Sequence, residues 1–256
     1  MFISIAFAQF GLGWMFIYWL LAADRGPKEP RKLLILSGVF GALACAGALA
    51  LELAFLPDAL TGVPSDLSTT GLLGGSLLIG LIEEGCKALP LLAFLVLTKS
   101  IDEVTDGIIF FGISGMVFGV IEDISYAFSL GPAAGIGKII TGPFIHAGFS
   151  ILVGWTLSSA IIQKRVWVLP VAGFAAAVGL HGLYDFGLFY GSVLSILMSL
   201  AITIFVNLNI FWLMRVSKRA DAKLGIAADG ANLYCRNCGR PNPQHFVFCP
   251  YCGQRT

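Results

Sequence analysis

Hydrophobic positions gather into seven long runs, at roughly 1–22, 33–56, 71–97, 105–129, 139–162, 166–190 and 193–214, separated by short polar stretches. Each is long enough to cross a bilayer as a helix. Several are rich in Gly and Ala, which lets membrane helices approach closely. The first run has no basic segment ahead of it and no small-residue cleavage region after it. A retained first helix is therefore expected rather than a signal peptide. Residues 215–234, "RVSKRADAKLGIAADGANLY", lose the hydrophobicity and read as a short helical extension followed by a linker. No internal repeat or low-complexity tract interrupts the pattern.

Basic residues between the runs predict orientation. Arg25, Lys28, Arg31 and Lys32 follow the first run, Lys99 the third, Lys164 and Arg165 the fifth, and Arg215, Lys218, Arg219 and Lys223 the last. The alternate loops carry only Lys138. This asymmetry places the N-terminus outside and the C-terminus in the cytosol of a multi-pass protein of the cell membrane. Composition agrees: 57% of residues are hydrophobic and 12% charged, with mean hydropathy +0.86. Soluble domains carry about a quarter charged residues. A net charge of +1 offers no field that would suggest a nucleic-acid partner.

Six cysteines divide unequally. Cys45 and Cys86 lie in apolar runs and read as small buried hydrophobes. Cys235, Cys238, Cys249 and Cys252 form two C-x-x-CG pairs in the tail. Two such turns supply four thiolates to one tetrahedral ion, with zinc the default and rubredoxin-like iron the lesser alternative. A disulfide reading suits a reducing cytosol poorly. His245, between the pairs, reads as a loop residue because four cysteines complete the site. The expected organisation is an all-α polytopic membrane domain over 1–214, a linker over 215–232 and a small zinc ribbon over 233–256.

Ionisable residues inside apolar spans are costly and call for a reason. The third run carries Glu83, Glu84 and Lys87, the fourth Glu122, the fifth His146, and the sixth His181 and Asp185. Antiparallel spans would bring these groups to similar depths in the outer half of the bilayer, with Glu83 and Glu84 somewhat deeper. His181 and Asp185 are four apart and share a helix face, as do Glu83 and Lys87. The lysine can thus neutralise one glutamate and leave its neighbour for other work. Two imidazoles with carboxylates are the ligand set of a hydrolytic zinc site. Simpler assignments suit other polar groups. Glu52 can snorkel at a helix end, Asp102, Glu103 and Asp106 belong to a cytosolic turn, and Asn207 and Asn209 suit interhelical hydrogen bonds. Asp123 shares Glu122's turn but points elsewhere.

The ordered motifs "EEGCK" (Glu83 to Lys87), "FGVIE" (Phe118 to Glu122) and "HGLYD" (His181 to Asp185), with His146 between the last two, resemble the PrsW family. These intramembrane metalloproteases are related to the CAAX prenyl endopeptidases, and the resemblance covers roughly residues 1–214. It implies a membrane-embedded peptidase acting on membrane proteins, with anti-sigma factors the known kind of substrate. Carried over by position, it implies one of Glu83 and Glu84 as the base that activates water. Glu122, His146 and His181 would bind a zinc or similar ion or polarise substrate, and Asp185 would be a further ligand or orient His181. The CAAX branch has histidine where Glu122 stands and arginine in place of Lys87, which argues against a prenylated substrate. Two other classes fit the same residues. A proton- or ion-coupled transporter also collects acids and histidines at one depth. A non-enzymatic scaffold would use the ribbon to hold a cytosolic protein partner.

Overall fold

The computed structural model describes residues 2–24, 28–56, 68–131, 138, 141–224 and 252–253. Among these the chain forms seven helices and no strand: α1 (Phe2–Ala23), α2 (Arg31–Phe55), α3 (Thr69–Leu97), α4 (Val104–Leu130), α5 (Gly142–Ile162), α6 (Val168–Tyr190) and α7 (Val193–Lys223). Six are long and apolar enough to cross a membrane, whereas α3 has the length but carries Glu83, Glu84 and Lys87. The molecule is a multi-pass membrane protein. Of the four tail cysteines only Cys252 lies among the described residues, so the expected ribbon and linker fall almost wholly outside them.

Helix ends follow local chemistry. Ser68 opens α3 and Ser192 opens α7, each accepting a backbone N–H at 3.2 Å from the residue three further on. Such side-chain acceptors satisfy amides that the first turn leaves orphaned. Gly191 takes φ +70° between α6 and α7, a left-handed conformation that lets the chain reverse within two residues. Pro143 sits in the first turn of α5, where its missing N–H costs nothing. The last helix continues beyond its apolar run to Lys223.

Two helices make the interior. Of the membrane-spanning stretches of α4 and α5, 89% and 78% of residues are buried, against 22–33% for α1, α2, α6 and α7. Ile108, Ile109, Phe110 and Phe111 are consecutive and all buried, so α4 is enclosed on every side. It packs most extensively on α5, with α1, α2 and α7 around it, while α3 lies chiefly against α6 and α2. Gly107 and Gly154 set the α4–α5 distance, because a Cβ on either would collide with the other's carbonyl oxygen. Outward faces carry Phe7, Trp14 and Tyr18 of α1 and Leu194, Phe205 and Trp212 of α7, as lipid contact requires. Asn207 and Asn209 do not bridge helices: each donates at 2.8 Å to the carbonyl four residues back in α7. In a lipid-facing helix the nearest acceptor is its own backbone.

Candidate active site

α3 and α6 cross where both are glycine. A Cβ on Gly80 would lie 3.0 Å from Val178 O, and one on Gly182 2.7 Å from Leu77 Cα. This close crossing sets Glu84, one turn beyond Gly80, against His181. Glu84 Oε1 accepts from His181 Nδ1 at 2.8 Å and pairs with Lys87 Nζ at 2.5 Å. Lys87 also lies 3.1 Å from His146 Nδ1 and 3.7 Å from Glu83 Oε2, with Phe118 beneath its ammonium at 4.3 Å. The lysine's closest carboxylate is therefore Glu84, three residues back, and not Glu83, which the four-residue spacing favoured. His146, one turn into α5, presents Nε2 to Glu122 Oε2 at 2.6 Å. Asp185 Oδ2 is 3.5 Å from His181 Nε2. Phe118 abuts the His146 ring and Phe149 stacks on that of His181, so aromatic walls hold both imidazoles.

The pairings assign a face to each imidazole. The carboxylate beside His146 Nε2 keeps a proton there and turns the Nδ1 lone pair inward. The Nδ1–H of His181 is committed to Glu84, which turns Nε2 inward. Glu83 Oε2 lies near both inward nitrogens, 3.7 Å from His146 Nδ1 and 3.6 Å from His181 Nε2. Lys87 Nζ stands 3.1 Å from the first and Asp185 Oδ2 3.5 Å from the second. Glu83 Oε2 is buried and has no hydrogen-bond partner. Ligand atoms of a tetrahedral zinc, bonded at about 2.0–2.2 Å, stand roughly 3.3–3.6 Å apart, and Glu83 Oε2 is close to that separation from each of the two nitrogens. Each imidazole is backed by a carboxylate on its far nitrogen, which is how metal-binding histidines are oriented.

All seven expected residues thus meet at one centre, although they come from four helices. The expected ligand trio of Glu122, His146 and His181 is not the one the geometry gathers. Glu83, His146 and His181 bring their ligand atoms within 4.8 Å of one another. Glu122 stands behind His146 instead, paired with Nε2, whereas Glu83 Oε2 lies nearer Nδ1. Sequence spacing cannot tell which ring nitrogen meets which acid.

Three further polar residues join this region. Lys138, counted in the sequence as a loop cation, brings Nζ to 3.6 Å from Glu122 Oε1 and 3.7 Å from Asp123 Oδ1, and lies 3.7 Å over the Tyr126 ring. Asp123, set aside because it points away from Glu122, is wholly buried and accepts from Gln9 Nε2 of α1 at 3.3 Å. With α4 enclosed on every side, pointing elsewhere means pointing at α1. The one signal that marked these residues was the isolation of Lys138 in an otherwise uncharged loop.

A multi-pass helical membrane protein with imidazoles and carboxylates gathered in its interior has the makings of a metal-dependent intramembrane hydrolase. Comparison with known proteins specifies which: the family model described as "PrsW family intramembrane metalloprotease" matches residues 29–214, and the chain belongs to that family. A zinc-ribbon model matches residues 234–255. Among curated relatives, "Protease PrsW" of Clostridioides difficile (strain 630) is 29% identical over 178 residues, covering 66% of this chain and 73% of the relative. "Protease PrsW" of Shouchella clausii (strain KSM-K16) is 26% identical over 188 residues, covering 72% and 83%. No solved structure matches the chain significantly.

Proposed function

We propose that the chain cleaves membrane-protein substrates, with Glu83, His146 and His181 holding a zinc or similar divalent ion. The observation that carries this is the orphaned Glu83 oxygen set between two inward-turned imidazole nitrogens. Bound there, the ion would supply Lewis-acid polarisation of the scissile carbonyl and of the attacking water. The chain's own residues divide the remaining work. Glu122 and Glu84 hold the two imidazoles in their metal-binding tautomers. Lys87 neutralises Glu84, so Glu84 is committed to orienting His181 and is no longer the better choice of base. Asp185, buried, with Oδ2 lacking a hydrogen-bond partner beside His181 Nε2, is placed to take the proton of the attacking water. It would then return that proton to the leaving amine. Phe118 and Phe149 keep bulk water from the charged groups, which strengthens each electrostatic contact.

The positive-inside pattern supports an N-terminus outside, a C-terminus in the cytosol and cleavage near the extracytoplasmic face. The family resemblance supports regulatory, anti-sigma-factor-type substrates. Four tail cysteines would hold a structural zinc, leaving the ribbon free to contact a cytosolic protein.

The test compares new protein N-termini in membranes of cells expressing the wild type or Glu83→Gln. Cleaved membrane proteins present only with the wild type, and lost when its metal is chelated, are expected. Identical sets of termini, with both proteins folded in the membrane, would reject the peptidase assignment to this centre.

A further inference from the structure

Lys138 reaches the centre from the stretch between α4 and α5, and no step of the proposed reaction uses it. Its ammonium lies beside two consecutive acids of α4, 3.6 Å from Glu122 Oε1 and 3.7 Å from Asp123 Oδ1. Tyr126, one turn after Glu122 in the same helix, places its ring centroid 3.7 Å from that nitrogen. Asp123 is in turn held from two sides. Gln9 of α1 donates to its Oδ2 at 3.3 Å. Gly142, the first residue of α5, leaves the space that the Asp123 carboxylate fills, since a Cβ there would collide with both oxygens. The lysine is thus seated on a fixed acid and an aromatic ring, and its position does not depend on Glu122 alone.

Glu122 is the acid that needs holding. Its side chain is 15% exposed and that of Asp185 12%, against 1–5% for Glu83, Glu84, His146 and His181. A carboxylate on this more open side, tied only through Oε2 to His146 Nε2 at 2.6 Å, could turn about its side-chain bonds into other rotamers. Lys138 engages the second oxygen. With Oε2 on the ring and Oε1 drawn to the ammonium, the carboxylate is fixed at both atoms, and the imidazole is fixed through it. Acids behind metal-binding imidazoles orient the ring in this way, and their loss weakens metal binding by about 10–100-fold.

We propose that Lys138 is a positioning residue of the peptidase centre, acting through Glu122 to hold the His146 ring in its metal-binding orientation. The proposal rests on the reading of Glu83, His146 and His181 as ligands of the ion. The lysine contributes direction more than net charge, because the Glu122 and Asp123 carboxylates already balance it. This distinction can be measured. Removing a cation beside a divalent ion would by charge alone tighten the binding of that ion. Loss of positioning loosens it, so the two roles predict changes of opposite sign.

The test measures zinc affinity of the full-length protein in detergent, by competition with a chelator of known strength, and cleavage as new protein N-termini in membranes. Wild type is compared with Lys138→Met, Lys138→Arg, Glu122→Gln and the double variant Lys138→Met/Glu122→Gln, all with the same tail. In Lys138→Met one zinc ion should bind about 10-fold more weakly and cleavage should fall about as far, with helix content unchanged. Lys138→Arg, which keeps a cation against the same acids, should restore most of both. In the Glu122→Gln background Lys138→Met should cost nothing further, because the lysine acts only through that acid. Should Lys138→Met not fold, Lys138→Gln takes its place in the same comparison. Zinc held at least as tightly without the lysine, a loss in Lys138→Arg as large as in Lys138→Met, or equal losses with and without Glu122 would overturn the proposal. A wild type that binds zinc only through its tail would overturn the metal centre and this proposal with it. That failure is read from the wild type alone, so the two are distinguishable.

Discussion

Glu83 and Glu84 are adjacent and equally buried, yet their surroundings predict different consequences of the same change. Glu83→Gln removes the only carboxylate that faces both inward nitrogens, so cleavage should fall at least about 100-fold, and added zinc should not restore it. Glu84→Gln keeps an oxygen that can accept from His181 but loses the charge that pairs with Lys87. Activity should drop by roughly 10–100-fold, chiefly through weaker metal affinity, and should recover in part at high zinc. Zinc titration of cleavage activity separates the two variants, and equal rescue would show that the roles are not divided this way. Lys138 and Asp123 permit a second test at this scale. Their single variants and the double variant Lys138→Gln/Asp123→Asn should show a coupling of about 0.5–3 kcal/mol in denaturant unfolding. Additive effects would mean that the pair seen at 3.7 Å contributes nothing. The residues of the centre were legible in the sequence because a charge in an apolar span is conspicuous. Which acid stands in front of an imidazole and which behind it was not legible, since that depends on the side from which a helix approaches the ring.

At the scale of helices, hydropathy placed all seven, within a few residues except at the end of α7, which runs on to Lys223, because lipid demands unbroken backbone hydrogen bonding across its whole thickness. It did not reveal that α4 and α5 are enclosed while α1, α2, α6 and α7 face outward, as every run looks apolar on all sides. It therefore could not tell that Asp123, facing away from Glu122, meets Gln9 of α1 in the interior. Glycine contacts now supply a prediction about how the helices fit together. Gly107→Ala and Gly154→Ala should each cost about 1–3 kcal/mol, because the new methyl meets a carbonyl oxygen of the facing helix that has little room to retreat. Gly179→Ala, where nothing lies within 4 Å of the added Cβ, should be neutral or slightly stabilising through helix propensity alone. Thermal unfolding of the three variants in detergent decides the matter. A loss at Gly179 equal to that at Gly107 would mean that close α4–α5 packing is not what holds the bundle.

For the whole molecule, the chain combines two thiolate knuckles in its tail with one imidazole–carboxylate centre in its membrane domain, and these draw on different sources of stability. A zinc ribbon of two dozen residues, the kind that residues 234–255 match, has little core of its own, so metal binding and folding are expected to be one event there. The membrane domain has its own packing and should keep its shape whether or not the centre is filled. Metal content should therefore follow the parts of the chain. The full-length protein should carry about two zinc ions, and a chain ending at Leu224 about one. The shortened chain with His146→Ala and His181→Ala should carry none. Circular dichroism should report the same helix content for both shortened forms, because the histidines contribute ligands and not the apolar contacts around α4. A shortened wild-type core that folds but holds no metal would place all the zinc in the tail. The membrane centre would then have to work by its acids and imidazoles alone, with Glu83 as the base facing both rings.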